Sequence, residues 1–237
     1  MKKLILLTLF AALAMPQVAS ADILVGFENW TGANPNTGPG AINAATINEP
    51  GFSGDSTTVT NGWGRSAAGS HDDGSFGTLA GAETTVAFNR GLSLNNGVNG
   101  AYDFSITNNS ANPYTLDFFH FDTGTFRPNA AHEWSVSVQS GDLTAQPILS
   151  GSADNITGGV TDWYNYDINL SGLTGGNVLA VGQTATFRLD FAGGTGTAGH
   201  HQYVDNIAIS GFEVVPEPSS LALLGLAGFG MLVRRRK

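Results

Sequence analysis

The groups in this 237-residue sequence that could do chemistry are five histidines, 19 acidic residues and four tryptophans. The histidines are His71, His120, His132, His200 and His201. A zinc centre needs three or four ligands converging on one point, with a second shell behind them. His200 and His201 are adjacent, so from a regular strand they would point to opposite faces and could not serve one ion. They follow a glycine-rich run, 193–199, and read as exposed loop histidines, as do the others. His71-Asp72-Asp73 and Gly54-Asp55-Ser56 bring together catalytic residue types, but a hydrolytic carboxylate pair is defined by a fixed separation across a cleft. With 19 acids in the chain, no pair is singled out. Among the aromatics, Trp134 is in phase with apolar neighbours, whereas Trp30, Trp63 and Trp163 lie near turns. A flat ring with polar neighbours suits a pyranose, and Gly62-Trp63-Gly64-Arg65 is the best candidate loop for such a contact, through Trp63 and Arg65. The competing reading of such a ring is a plug at the edge of a sandwich.

These residues must be carried by strands. In 101–107, Tyr102, Phe104 and Ile106 share one face against Asp103 and Ser105; in 133–139, Trp134, Val136 and Val138 do so against Ser135 and Ser137. Tyr164, Tyr166, Ile168 and Leu170 form a third row, and Phe187, Leu189 and Phe191 a fourth, opposed by Arg188 and Asp190. Period two with aromatic and β-branched content marks half-buried antiparallel strands. Further strands are expected at 23–27, 84–88, 114–121 and 203–214, with Gly/Asn/Pro loops at 32–40, 69–77, 95–100, 108–113 and 193–199. No stretch of the interior has a 3.6-residue apolar period. The expected fold is all-β, an antiparallel two-sheet β-sandwich, with helices only at the ends: a signal helix and a short C-terminal hydrophobic helix.

Composition narrows the partners. Residues 22–218 keep every acidic group, four arginines and no lysine, an excess of fifteen negative charges. Nucleic acid and anionic lipid would be repelled. Without cysteine there is neither a disulfide nor a thiolate metal site, so an ordinary core must hold the domain. Asn29, Asn108 and Asn155 fit the Asn-x-Ser/Thr pattern and read as coincidence.

The two ends carry addresses. Lys2-Lys3, the apolar run 4–14 and the small-x-small triplet Ala19-Ser20-Ala21 form a signal peptide, 1–21, with cleavage before Asp22. At the other end Val215-Pro216-Glu217-Pro218-Ser219-Ser220 precedes an apolar span, 221–233, and a basic end, 234–237. Thirteen residues make about 20 Å of helix against a hydrocarbon core of about 30 Å, and Gly225, Gly228 and Gly230 weaken the span further. This order resembles the PEP-CTERM tail of exported bacterial proteins. The resemblance implies a sorting segment, 214–237, recognised through Pro216, Glu217 and Pro218 by a membrane-embedded exosortase. It also implies transient membrane association and delivery to the envelope, surface or polysaccharide matrix of a Gram-negative-type bacterium. The alternative is a short, uncleaved membrane helix.

Between the addresses lies one domain, 22–213. Its first strand reads Leu24-Val25-Gly26-Phe27-Glu28-Asn29-Trp30, and its last contains Tyr203-Val204-Asp205-Asn206-Ile207-Ala208-Ile209. The pair resembles the terminal strands of galactose-binding-like jelly rolls, which include many carbohydrate-binding modules. That resemblance implies a jelly roll and a structural calcium, with Glu28 and Asp205 as ligands. Asp205 alternates with Ile207 and Ile209 and should point inward with them. A buried carboxylate must be paired, hydrogen-bonded or metal-bound, so an Asp accepting backbone N–H bonds is the other reading. Gly54-Asp55-Ser56 also resembles the nucleophile block of a lipase-like family, but that family is α/β and this chain lacks the helices. The expectation is an exported, non-enzymatic surface or matrix protein, structural or adhesive, with a glycan-binding module of the same fold as the alternative.

Overall fold

Alternation becomes architecture in the computed structural model, which describes residues 21–27, 42–60, 63–65, 92–94, 97–153 and 163–214. These residues form strands and turns with no helix among them, and 21–213 make one compact unit. One sheet runs in the order β12 (Trp163–Asn169), β9 (Tyr114–Phe126), β15 (His201–Glu213), β1 (Asp22–Phe27), β3 (Ile47–Asn48). Beside this path β13 (Val178–Leu179) pairs with β9, and β7 (Leu92–Leu94) joins β15 to β6 (Trp63–Arg65). The second sheet runs β11 (Gln146–Ser152), β10 (Glu133–Gly141), β14 (Thr184–Ala192), β8 (Gly100–Asn108), β5 (Asp55–Thr58), β2 (Ile42–Ala44), with β4 (Phe52–Ser53) also on β8. Every pairing is antiparallel. From β8 onward the chain crosses repeatedly between the sheets: β8 lies in the second, β9 in the first, β10 and β11 in the second, β12 and β13 in the first, β14 in the second and β15 in the first. Crossings of this kind are those a jelly roll makes.

The core is the sum of the inward rows. Tyr102, Phe104 and Ile106 of β8, Trp134, Val136 and Val138 of β10, and Phe187, Leu189 and Phe191 of β14 line the second sheet. Leu116, Phe119 and Phe121 of β9 face them with Ile207 and Ile209 of β15. Aromatic edges bridge the sheets: Phe119 stands 5.7 Å from Phe187 and 6.0 Å from Phe104, and Phe121 stands 5.3 Å from Trp134. Tyr166, the cross-strand neighbour of Phe121, packs on the same indole at 4.5 Å. Gly151 on β11 lies over the same indole, so close that a Cβ there would fall 2.5 Å from Trp134 Cζ2. Only glycine permits that approach.

The expected strand 84–88 and the loops 32–40 and 69–77 lie outside the described residues, as do the terminal helices. Two differences have physical reasons. Strand β9 continues beyond the expected end at 121 to Phe126, because Asp122, Thr123 and Gly124 are laddered by β12 and β15 on both sides and β15 carries the pairing on to Phe126. Strand β11 is an edge strand with Leu149 half exposed, so no alternating pattern was needed to form it.

Candidate functional site

The side of the first sheet turned away from the core holds the densest group of polar side chains. On β9, Phe119 and Phe121 point to the core, so His120 and Asp122 between and after them point the other way. Cross-strand neighbours share a face: Asp167 of β12 stands opposite His120, and Asp205 of β15 opposite Asp122. His120 is only 7% exposed, Asp122 1% and Asp205 0%.

His120 is held on both sides. Its Nδ1 lies 2.7 Å from Asp167 Oδ1 and its Nε2 lies 2.8 Å from Ser210 Oγ. Burial pulls the imidazole below its ordinary pKa, and the hydrogen bond and charge of Asp167, with the charge of Asp117, oppose that pull without overcoming it. The ring is therefore neutral near pH 7, and a carboxylate on Nδ1 fixes the proton there.

Asp205 corrects the phase argument. β15 carries an extra residue between Asp205 and Ala208, where Asn206 adopts a left-handed φ of 48°. Such a bulge reverses the alternation. Asp205 thus shares the outer face with Asp122 and Ala208, opposite to Ile207 and Ile209, although it is fully buried. Asn206 Nδ2 donates to Asp122 Oδ2 at 2.7 Å. Two carboxylates directly opposed in a buried setting disfavour double ionisation unless a cation or donors offset the charge. Oxygen-only donors suit calcium. Among the described residues, however, no three acidic or histidine side chains gather as a metal site, and Glu28 lies outside those residues.

Other candidates are dispersed. Trp63 and Arg65 stand on strand β6, paired with Leu94 and Leu92 of β7, and not in a loop; their side chains lie outside the described residues. The histidines are not simply exposed: His200 Nδ1 accepts the Asn129 N–H at 3.1 Å, and His201, half-buried, stacks on Phe126. Burial, then the charges of Arg127 and His200, pull the His201 pKa down. His132 Nδ1 donates to the Ala130 carbonyl, and His71-Asp72-Asp73 lies outside the described residues. Ser56 is buried and donates to the Asn43 carbonyl at 3.1 Å, a ladder role. Asn108 is buried too, its amide spent on the Asn112 and Leu179 carbonyls.

The second sheet presents a groove of about 390 Å³ on its outer side, lined by Glu133, Ser135, Ser150, Gly151, Asp190 and Ala192, with Trp134 beneath. Burial raises the Asp190 pKa, while Arg188 acts against it. Neither this groove nor the Ser210–His120–Asp167 chain was found from the sequence. Alternation alone places His120 on an outer face, but its partners come from strands 47 and 90 residues away.

Strand β15 ends at Glu213, and residues 214–237 match the model of the PEP-CTERM protein-sorting motif. The tail is a PEP-CTERM motif. Such a tail marks an exported protein sorted to the cell envelope or surface and implies processing by an exosortase. Loose likenesses exist among solved structures. TmCBM61 in complex with β-1,4-galactotriose is 10% identical, covers 66% of this chain and 86% of its own, and has a TM-score of 0.38. A family 29 carbohydrate-binding module from Piromyces equi is 13% identical, with 81% and 91% covered and a TM-score of 0.34. A module specific for non-crystalline cellulose is 16% identical, with 51% and 74% covered and a TM-score of 0.30. No curated protein matches the chain.

Proposed function

We propose that the mature domain is a non-enzymatic component of the cell surface or extracellular polysaccharide matrix, structural or adhesive in role, which the PEP-CTERM tail delivers and then leaves. The carrying observation is that the motif begins at residue 214, directly after the last strand. At the other end, Asp22 opens β1, so a signal cut after Ala21 leaves that strand whole. The cut that frees the domain from the tail need remove no laddered residue. The span at 221–233 is too short for comfortable permanence, and the cations of 234–237 hold its orientation. A lysine-free acidic domain stays soluble outside the cell and avoids anionic surfaces.

Glycan binding is the second reading. The groove over Glu133, Ser135, Ser150 and Asp190 offers hydrogen-bonding groups for sugar hydroxyls, and Trp63 with Arg65 remains the proposed aromatic contact. A glycan array, run with and without calcium, separates the two roles: no retained glycan leaves the structural one.

The sorting reading is tested in the native host by replacing Pro216, Glu217 and Pro218 with alanine. Membrane-retained, full-length precursor is expected. Mass spectrometry of the wild-type surface protein should find no molecules ending in Arg234-Arg235-Arg236-Lys237; if mature molecules keep that end, the tail is a short anchor and the proposal fails.

A further inference from the structure

Neither sorting nor adhesion uses the chain of three side chains that crosses β15, β9 and β12. Ser210 Oγ lies 2.8 Å from His120 Nε2, and His120 Nδ1 lies 2.7 Å from Asp167 Oδ1. The register builds it: Asp167 and Ala208 flank His120 as direct cross-strand neighbours, and Ser210 is the next residue of β15 on that face. An ionised carboxylate only accepts, so Nδ1 carries the ring proton and Nε2 offers its lone pair to the serine hydroxyl. Nucleophile, base and orienting acid then stand in working order. The strands are also irregular here. The register breaks on the β1 side between Ile23 and Val25, and on the β9 side between Ile209 and Gly211, so Ser210 sits between two breaks. Bulges re-aim side chains and recur beside reactive centres.

The same geometry limits the chemistry. Ser210 lies inside a laddered strand opposite Ile23, not on a sharp turn that presents spare backbone N–H groups to a developing oxyanion. Its 5% exposure admits only a slender electrophile. We propose that Ser210 is a nucleophilic acylation site that takes a short acyl group from an oxygen ester, with His120 as its base and Asp167 as the positioning residue. The serine Oγ bonds to the acyl carbon while its proton passes to His120 Nε2. The ester C–O bond breaks, and the departing oxygen leaves as an anion or takes that proton. The product is an acyl-serine, shielded from water by the burial that slows further turnover. This inference is independent of the adhesive reading, since one stoichiometric acylation makes no enzyme of the domain.

The test uses the full-length protein with p-nitrophenyl acetate, followed by intact-mass and peptide mass spectrometry. One acetyl group on the peptide containing Ser210 is expected, with one equivalent of p-nitrophenolate released. Ser210→Ala should lose that label, and His120→Gln should slow it by about a hundredfold, the usual worth of a general base. A merely structural histidine would not impose a pH profile on the label; here the rate should rise through a pKa below 6.5, where burial holds His120. Asp167→Asn should flatten or displace that profile. The proposal is overturned if folded wild-type protein leaves Ser210 unmodified, or if Ser210 reacts no faster than the other serines.

Discussion

Truncating Phe119 to alanine should show how much the meeting of the two sheets contributes to stability. Phe119 is wholly buried on β9, and its ring stands 6.0 Å from Phe104, 5.7 Å from Phe187 and 6.2 Å from Phe121. Phe104 and Phe187 belong to β8 and β14 of the opposite sheet, so the ring is a bridge between layers. Its neighbours sit on laddered strands and cannot close over the void. Phe→Ala at such a site costs about 3–5 kcal/mol, against a total of about 5–15 kcal/mol for a domain. At this chain length 1 kcal/mol lowers Tm by about 2–4 °C, so the variant should melt about 6–20 °C below wild type. Phe119→Leu keeps most of the volume and should cost under about 1.5 kcal/mol. Thermal unfolding followed by circular dichroism, at one pH and one calcium concentration, compares the three proteins. If the alanine variant melts within about 2 °C of wild type, or if the two variants fall equally, the ring does not join the sheets and the packing argument is wrong.

The buried imidazole makes a pH prediction. Because burial holds the folded pKa of His120 below its ordinary 6.5, the unfolded chain binds the proton more readily; the group's contribution is complete above pH 6.5 and is lost as pH falls through the folded value. Urea midpoints measured above and below pH 6.5 should therefore drop further for wild type than for His120→Gln, and equal drops would refute it. Calcium held beside Asp205 should raise the melting temperature, by the equivalent of about 2.7 kcal/mol at a hundred times its dissociation constant. Asp205→Asn or Asp122→Asn should remove most of that rise; identical melting in calcium and in chelator would dispose of the site.

Where pairing is regular, the sequence was readable. The rows of β8, β10, β12 and β14 alternate because each strand has one face on the core, and a local pattern suffices to see it. Asp205 shows where that reading stops. Its alternation with Ile207 is real in the sequence, but a single left-handed residue, Asn206, turns it to the other face. Asparagine accepts that conformation more readily than most residues, yet an Asp-Asn pair inside an apolar run gives no local sign of a bulge. The Ser210–His120–Asp167 chain was hidden for a different reason. Each residue occupies an ordinary outer position, and only the order β12, β9, β15 makes them neighbours. Strand order depends on long-range closure, which no window of residues records.

That order also sets when the molecule can finish folding. Strand β15 lies between β9 and β1 and also carries β7, so the first sheet has no centre until its last thirteen residues arrive. They are the last of the domain to be synthesised and the last to cross a membrane, directly ahead of the sorting motif. Until then β1 and β9 expose edges that would otherwise seek partners in other chains. Closure of the first sheet therefore waits on the residues that stand directly before the sorting motif, which ties completion of the fold to the C-terminal end of the domain.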